Sequence, residues 1–265
     1  MKILPKKSLG QNFLINNEIL NQIVDLGKIK SNDIILEVGP GTGNLTEKIL
    51  KKKPKKLIVV EKDKNLTIFL KKKFNNNIEI INDDILSYNQ EIFNNKKIIV
   101  FGNLPYNVST QILTSWIKKN NLNNFCKRFI LMFQKEVADR ILGKCNSKNY
   151  GRLSIISSWK MNIKKIVDIN PSSFSPPPKI KSSLLVFEPK NDFFKINNPN
   201  NLEHITNIFF SQRRKMIKKP IKFIFKNYEN VSEDLSLDLN LRPQNLSNIT
   251  YYKICAYYEN LLKQT

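Results

Sequence analysis

Histidine and cysteine, which supply most metal ligands and many nucleophilic sites, are scarce in this sequence. One histidine (His204) and three cysteines (Cys126, Cys145 and Cys255) occur in 265 residues, and the cysteines lack the spacing of a zinc site. His204 lies in a lysine-rich stretch predicted to be helical, where an exposed side chain is a better interpretation than a member of a Ser-His-Asp triad. The sequence therefore excludes zinc and triad chemistry and predicts reduced thiols in a cytoplasmic protein.

Long apolar runs are also absent. The longest, such as Phe129–Phe133 and Ile98–Phe101, are far shorter than the ~20 residues that span a bilayer. The first residues, MKILPKKSLGQNFL, lack the apolar core and small-residue cleavage site of a secretory signal. We therefore expect no membrane span and no signal peptide, whereas 41% hydrophobic residues suffice for a folded core.

Acidic residues are few. The chain has 22 Asp and Glu against 44 Lys and Arg, a formal net charge of +22, and a pI near 9.8. Such an excess favours a polyanionic partner, nucleic acid first and an anionic membrane second. Because the excess is mostly lysine, and Asn and Ile are abundant too, an AT-rich coding sequence is an alternative explanation.

Short apolar runs alternate with helical segments through the first two thirds of the chain. This order predicts a doubly wound, mostly parallel α/β sheet with helices on both faces. The predicted strands are Ile34–Val38, Leu57–Glu61, Ile78–Ile81, Ile98–Phe101 and Phe129–Phe133, followed by a hairpin-like pair, Ile163–Ile169 and Ser183–Phe187. The predicted crossover helices include Leu45–Lys53 and Thr110–Lys119.

The composition of the sequence and the spacing of its apolar residues change after Pro189. The Asn-rich stretch Asn191–Asn201 is a plausible linker, and apolar residues beyond it recur at helical spacing. The residues of this pattern are Ile205, Phe209 and Met216, and then Ile254, Tyr257, Tyr258 and Leu261. The sequence thus predicts a catalytic domain at 1–190 and a small helical domain at 191–265.

The first predicted strand leads into a glycine-rich loop, Gly39-Pro-Gly-Thr-Gly-Asn44. Its G-x-G-x-G spacing, with Asn44 where the dinucleotide fingerprint has a sixth-position glycine, suits S-adenosylmethionine better than a pyrophosphate. Glu61 ends the next strand about 20 residues later, where a carboxylate accepts hydrogen bonds from ribose hydroxyls. Asp83 or Asp84, after the third strand, is a candidate hydrogen-bond acceptor for the amino group of the cofactor adenine. A plain strand-to-helix turn is the alternative interpretation of the loop.

The fourth strand ends in the most specific motif, Asn103-Leu104-Pro105-Tyr106. The motif offers an amide oxygen, main-chain carbonyls and an aromatic ring. Acceptors on the two hydrogens of an exocyclic adenine amine favour a more tetrahedral nitrogen, whose lone pair can then react. An aromatic face stacks the base. The pattern indicates adenine N6 methylation by positioning and electrostatics, and a simple Asn-Pro turn is the alternative.

The chain resembles the ribosomal RNA adenine N6-dimethyltransferase family over nearly its whole length, and within it the small-subunit (16S) branch. The resemblance is carried by the two motifs above and by several further stretches. These are Ser8-Leu-Gly-Gln-Asn-Phe-Leu14, Gln134-Lys-Glu-Val137, Tyr150-Gly-Arg-Leu-Ser154, Phe174-Ser-Pro-Pro-Pro-Lys179 and Gln212-Arg-Arg-Lys215.

The resemblance implies a class I, Rossmann-like S-adenosylmethionine methyltransferase that dimethylates two adjacent adenosines near the 3′ end of 16S rRNA. It implies a catalytic set of Asn103, Leu104, Pro105 and Tyr106, with Phe174 as the second ring of a base sandwich. The implied cofactor-binding residues are Asn12, Leu14, Gly39, Gly41, Glu61, Asp84 and Asn103. The implied substrate is 16S rRNA in an immature small ribosomal subunit, and we expect a cytoplasmic monomer without a metal or a membrane partner.

Basic residues near both ends are candidate contacts to RNA phosphates. They are Lys6 and Lys7 in the N-terminal arm and Arg213, Arg214, Lys215 and Lys218 in the predicted helical tail. A solvated face of a lysine-rich protein is the alternative for each. Two alternatives to the whole function stay open: an adenine methyltransferase acting on DNA or large-subunit rRNA, and a non-catalytic rRNA-binding assembly factor.

Overall fold

A computed structural model describes residues 5–6, 10–88 and 96–263. The chain divides into two compact units, each built from separate stretches of sequence. The first comprises Met1–Trp116, Asn120–Ala138 and Asn162–Pro189, and the second Ile117–Lys119, Asp139–Met161 and Lys190–Thr265. That residues 139–161 belong with the C-terminal stretch is not evident from the sequence. The division at residue 190 into a cofactor-binding and an RNA-binding part stays a prediction.

The first unit is built on a seven-stranded sheet formed by the described residues. Its strands are β2 (Ile34–Val38), β3 (Lys56–Val60), β4 (Glu79–Ile81), β5 (Ile98–Asn103), β6 (Cys126–Gln134), β7 (Met161–Ile169) and β9 (Ser182–Pro189). They lie in the sheet in the order β4-β3-β2-β5-β6-β9-β7. The pairs from β4 to β6 are parallel and β9 is antiparallel to β6. The predicted mostly parallel α/β sheet is confirmed. A separate ribbon pairs β1 (Phe13–Leu14) with β8 (Phe174–Ser175) in antiparallel fashion.

Helices connect these strands, and several begin at capping residues that the sequence supplies. The helices from residue 17 to residue 141 are α1 (Asn17–Gly27), α2 (Asn44–Leu50), α3 (Lys64–Phe74), α4 (Ser109–Ile117), α5 (Leu122–Phe125) and α6 (Lys135–Ile141). The Asn16 side chain accepts from the Ile19 amide to cap α1, and Asp63 accepts from the Asn65 amide to cap α3. These caps fix where both helices begin.

The predicted strands agree with the observed ones to within about three residues at each end, and β6 differs most. It begins at Cys126 rather than Phe129 because its polar residues find partners. The Lys127 ammonium pairs with Asp33 at 2.7 Å, and the Arg128 guanidinium pairs with Glu188 at 3.1 Å. Paired cations are compatible with a sheet position that a search for apolar runs leaves out.

The second unit is helical. Its helices are α7 (Arg152–Lys160), α8 (Pro199–Ser211), α9 (Lys218–Ile224), α10 (Tyr228–Asp234) and α11 (Asn248–Leu262). Tyr251 of α11 packs edge-on against Phe209 of α8, with ring centroids 5.3 Å apart. Glu259, which is buried, accepts hydrogen bonds from the amides of Asn197 and Asn198 and so fixes the start of α8.

Two details of the predicted helical pattern are wrong. Met216 lies outside α8 and is 54% exposed. In α11 the buried face consists of Tyr251, Tyr252, Ile254, Cys255 and Glu259, whereas Leu261 of the predicted stripe is exposed. The buried Glu259 explains the error, since a pattern of apolar residues passes over a carboxylate whose hydrogen bonds are all made inside the fold.

Candidate active site

A cavity of the first unit lies at the carboxyl ends of β2, β3, β4 and β5, where open parallel sheets bind ligands. Nine of the predicted site residues line it: Asn12, Gly39, Gly41, Glu61, Asp84, Asn103, Leu104, Pro105 and Tyr106. They come from the N-terminal arm, which is the stretch of chain before α1, and from the ends of four neighbouring strands. The sheet topology therefore brings together residues that are up to 94 positions apart in the chain (12 to 106).

The glycine loop needs glycine for both conformation and space. Gly39 and Gly41 have φ angles of +66° and +58°, values that strain other L-residues. A Cβ at Gly41 would stand 2.6 Å from a ring carbon of Phe13. The arm therefore packs directly on the loop that follows β2.

Glu61, immediately after β3, presents a carboxylate at the wall of the cavity. Its oxygens accept from the main-chain amides of Asp63 at 2.8 Å and Gly41 at 3.3 Å. Burial raises the pKa of Glu61 above its usual 4.5, and these two hydrogen bonds oppose the shift. The carboxylate is thereby held in one orientation beside the glycine loop.

Glu37, at the fourth position of β2, is another buried carboxyl group near the loop. It accepts a hydrogen bond from the Thr46 hydroxyl at 2.7 Å. Burial raises the pKa of Glu37 to about 8, and the neighbouring Glu61 adds to the shift. Glu37 therefore fastens β2 to α2 through this hydrogen bond.

Asp83 and Asp84 both line the cavity. One Asp84 oxygen accepts from the Lys62 ammonium at 2.8 Å and the other from the Leu86 amide at 3.0 Å. The hydrogen bond from Lys62, followed by that from Leu86, holds the pKa of Asp84 below its usual value. Asp83 instead accepts from the Asp84 amide and the Ser87 hydroxyl.

The lining of this cavity is acidic, although the protein is strongly basic. Its charged residues within the described part of the chain are Glu61, Asp83 and Asp84 against Lys62, which is paired with Asp84. A negative cavity disfavours a pyrophosphate and suits a cationic ligand that carries a ribose. The carboxylates of this cavity therefore fit S-adenosylmethionine, whose sulfonium is positively charged.

Asn103, the last residue of β5, is fixed by the arm. Its side-chain Nδ2 donates to the main-chain carbonyl of Asn12 at 2.7 Å. Because a carbonyl oxygen only accepts, this bond determines which end of the amide is nitrogen. Asn103 Oδ1 can therefore accept a hydrogen bond from a ligand in the cavity.

The rest of the motif forms the turn that leads into α4. The Pro105 carbonyl accepts from the amides of Val108 and Ser109 at 3.1 and 3.0 Å, and so closes the turn. The Tyr106 hydroxyl is 2.7 Å from the hydroxyl of Ser182 on β9. Burial raises the pKa of Tyr106. Its hydroxyl is thus occupied by the protein, and its ring contributes to the cavity wall.

Leu14 and Phe174 lie beside the cavity rather than on its wall. They are cross-strand partners in the β1–β8 ribbon and are 5% and 2% exposed. Leu14 borders a smaller adjoining cavity with Phe13, Glu37 and Gly39, and its carbonyl accepts from Asn44 Nδ2 at 2.8 Å. The assignment of Phe174 as the second ring of a base sandwich stays a prediction.

The N-terminal arm is held by side chains on three different elements. Asn103 and Asn44 bind its carbonyls, and Asp63 accepts from Lys6 Nζ at 2.8 Å and from Gln11 Nε2 at 2.9 Å. Burial opposes ionisation of Asp63, but the hydrogen bonds from Lys6 and Gln11 outweigh it and lower its pKa. Lys6 is therefore engaged in the fold, and Lys7 lies outside the described residues.

The basic candidates of the second unit differ in their surroundings. The Arg213 guanidinium donates to the Ser147 carbonyl at 3.0 Å and to the Gln244 side chain at 3.2 Å. Arg213 therefore stabilises the packing of the second unit. Arg214, Lys215 and Lys218 are exposed. Residues 212–217 form a non-helical connection between α8 and α9. Pro220 lies in the first turn of α9, where a missing amide hydrogen is tolerated.

Phe13 lines the cavity, and Asp63 and Ser182 form hydrogen bonds with Gln11 and Tyr106 of its wall, yet none of the three is among the predicted site residues. Asp63 has a usable signal, since an aspartate before a helical run is a common N-cap. Phe13 and Ser182 have none, because their contacts depend on how distant segments meet.

Among residues 5–6, 10–88 and 96–263, no helix is both long enough and apolar enough to cross a membrane. The same residues contain no cluster of three or more His, Cys, Asp or Glu side chains that could hold a metal ion.

Comparison with known proteins identifies the family. Residues 4–260 match the family model of the ribosomal RNA adenine dimethylases. The chain is 59% identical to the ribosomal RNA small subunit methyltransferase A of Pelagibacter ubique (strain HTCC1062), over 98% of this chain and 99% of that protein.

Solved structures give the same result. A dimethyladenosine transferase from Plasmodium falciparum has a TM-score of 0.80 at 29% identity and covers 94% of this chain and 98% of its own. The 23S rRNA methyltransferase ErmE, with a TM-score of 0.67 at 17% identity over 92% of this chain and 100% of its own, shares the fold. The resemblance found from the motifs is confirmed: the chain belongs to the ribosomal RNA adenine dimethylase family.

Proposed function

We propose that this protein transfers methyl groups from S-adenosylmethionine to N6 of two adjacent adenosines near the 3′ end of 16S rRNA. One observation carries the proposal: Asn103 and Tyr106 stand at the end of β5, in the same cavity as Glu61 and the glycine loop. The choice of small-subunit RNA rests on the likeness to the Pelagibacter protein over nearly the whole chain.

The residues suited to hold the cofactor are those of the acidic cavity. Gly39 and Gly41 allow a ligand to approach the main chain, and Glu61 offers its carboxylate to ribose hydroxyls. We assign the adenine end to Asp84 and the arm contacts to Asn12 and Leu14. When bound, S-adenosylmethionine supplies an electrophilic methyl group.

The residues suited to the target adenine follow from the hydrogen bonds of the motif. Asn103 Oδ1 accepts one hydrogen of the N6 amine, since Nδ2 is committed to Asn12. The Pro105 carbonyl is committed to the turn, so we assign the second hydrogen to the carbonyl of Leu104. Two acceptors hold the amine hydrogens out of the plane of the ring and localise the nitrogen lone pair. No titrating base is needed for this positioning.

Tyr106 holds the base by stacking. Because its hydroxyl contacts Ser182, the ring rather than the hydroxyl is the group offered to the ligand. Stacking on an aromatic ring is worth ~1–3 kcal/mol per base. A base in this cavity must leave any helical stack, which suits a loop or distorted region of rRNA in an immature subunit. We place the reaction in the cytoplasm, where bacterial small subunits are assembled, with a single copy of the chain as the catalyst.

The test uses purified protein, labelled S-adenosylmethionine and small subunits that lack these methyl groups. We expect label in N6,N6-dimethyladenosine at two adjacent positions near the 3′ end of 16S rRNA. Asn103→Ala should abolish transfer while cofactor affinity, measured by calorimetry, stays within a few-fold. Tyr106→Phe should remain active and Tyr106→Ala should not.

Parallel reactions with large-subunit rRNA and with DNA separate the enzyme alternatives. Label confined to either of these would contradict the proposed substrate. Binding to small subunits without any transfer of label would instead identify a non-catalytic assembly factor.

A further inference from the structure

The segment from Gln212 to Lys226 in the second unit combines strong positive charge with an exposed aromatic ring. It contains seven basic residues and no acidic one. Phe223 on α9 is 76% exposed, the highest value for a large apolar side chain in the described part of the chain. Near it along the chain, Met216 is 54% exposed. A ring left in water beside cations is a feature that the fold itself does not explain.

The exposure of Phe223 follows from how α9 packs. Pro220 and Ile221 form the buried side of this helix, and Ile217 just before it is fully buried. Phe223, two residues after Ile221, therefore points away from the side on which Ile221 is buried. The apolar contacts that hold α9 in place do not need this ring.

A surface pocket adjoins the ring. It lies between the last turns of α8 and the start of α9, and its lining includes Ile208 and Pro220 as well as Phe223. Polar residues complete the wall: Asn207, Ser211, Gln212 and Lys219. An apolar platform with amide and hydroxyl groups at its edge is what an unpaired nucleobase requires.

We propose that this pocket binds one unpaired nucleotide of rRNA, with its base stacked on Phe223 and an adjacent phosphate held by Lys219. This inference rests on the proposed function, because it takes the partner to be ribosomal RNA. A protein surface is a weaker candidate, since seven cations without an acidic residue would have to be matched by an acidic patch. The pocket lies in the second unit, and all the residues that form it are distinct from those of the acidic cavity.

The experiment measures affinity for unmethylated small subunits and for protein-free small-subunit rRNA at several salt concentrations. Phe223→Ala should weaken binding to both by about tenfold and leave the salt dependence unchanged, because the ring is neutral. Phe223→Trp should retain wild-type affinity. Lys219→Ala should also weaken binding, but it should lower the slope of log affinity against log salt by about one.

Ile249→Ala is the matched control, because Ile249 is an exposed apolar residue of the same unit, on α11. It should change neither affinity nor slope. Unchanged binding by Phe223→Ala, with its circular dichroism intact, would overturn the inference. Weaker binding to subunits with normal binding to protein-free rRNA would also overturn it and assign the pocket to a ribosomal protein.

The proposed function is tested separately by methyl transfer from the unaltered protein. If transfer to small subunits occurs and Phe223→Ala binds normally, only the inference fails. If transfer does not occur but rRNA affinity depends on Phe223, the proposed function fails and the nucleotide pocket stands.

Discussion

The side-chain nitrogen of Asn103 donates to the main-chain oxygen of Asn12 across 2.7 Å, although 91 residues separate the two in the chain. This bond makes the arm part of the site, because it sets the orientation of the amide that we assign to the target base. A group that cannot donate at this position should lose both the orientation and the contact with the arm.

We therefore expect Asn103→Asp to reduce turnover by about 100-fold, even though the shape of the side chain is kept. A carboxylate has no hydrogen for the Asn12 carbonyl, and loss of such a bond at a site costs ~2–3 kcal/mol. Single-turnover transfer to unmethylated small subunits measures the effect. Asn65→Asp, the same change at an exposed position near the start of α3, is the control. Full activity of Asn103→Asp would contradict the role of the donor.

Glu61 should make cofactor affinity depend on pH. Its pKa is raised by burial, so on acidification it takes up a proton at a higher pH than an exposed glutamate. Protonation removes an acceptor for the ribose, and affinity should fall as the pH drops towards this raised pKa. We expect Glu61→Gln to bind S-adenosylmethionine about 10- to 100-fold more weakly at pH 7.5 and to depend less on pH than the wild type, with any remaining dependence assigned to Glu37, whose pKa is raised to about 8.

Calorimetric titrations between pH 5 and pH 8 check the expectation. Asp84→Asn is the informative comparison, because the pKa of Asp84 is lowered and its ionisation is constant over this range. That variant should bind weakly but keep the pH dependence. A wild-type affinity that does not change with pH would contradict the role of Glu61.

Asp63 should control how firmly the arm is held. Asp63→Asn keeps the oxygen that caps α3 and accepts from Lys6, but it removes the charge of the ion pair with Lys6, whose side chain is 45% exposed, and replaces the oxygen that accepts from Gln11 with an amide nitrogen. Such a partly exposed pair is worth ~0.5–1 kcal/mol. Hydrogen exchange at the amides of residues 10–14 should therefore quicken by about two- to fivefold. Asp25→Asn, which breaks the exposed pair with Lys52, should leave these amides unchanged.

Glu259 should dominate the stability of the helical unit. Its buried carboxylate accepts from two main-chain amides and from the side chains of Asn197 and Asn201. Glu259→Gln places an amide hydrogen against these donors and should lower the free energy of unfolding by about 3 kcal/mol. Urea denaturation followed by circular dichroism measures this loss. Glu229→Gln, at an exposed position of α10, should change it by less than about 0.5 kcal/mol.

Much of the site was predictable because its residues follow strands. Gly39, Glu61 and Asn103 each stand where a short apolar run ends, and parallel strands bring such ends to one edge of the sheet. What the sequence does not show is which atoms are already engaged. The pairing of Tyr106 with Ser182, and the closing of the turn by Pro105, depend on contacts that no local pattern encodes.

The fold was predicted with the same limits. Apolar runs located β2 to β5 well, but the polar start of β6 was missed because Lys127 and Arg128 find acidic partners in the folded state. In α11 the buried Glu259 shifted the apparent apolar face. Both errors have one cause: a charge that is matched by tertiary contacts looks like a surface residue in the sequence.

The contact of Phe13 with Gly41 affects how mutants of the glycine loop should be interpreted. Any side chain at position 41 meets the ring of Phe13 before it reaches a ligand. Loss of activity in a Gly41→Ala protein could therefore result from displacement of β1 (Phe13–Leu14) as much as from damage to a nucleoside pocket. Pairing it with Phe13→Ala removes the obstructing ring, so activity that returns in the double variant identifies the steric contact, whereas the strain of an alanine at φ +58° is present in both proteins.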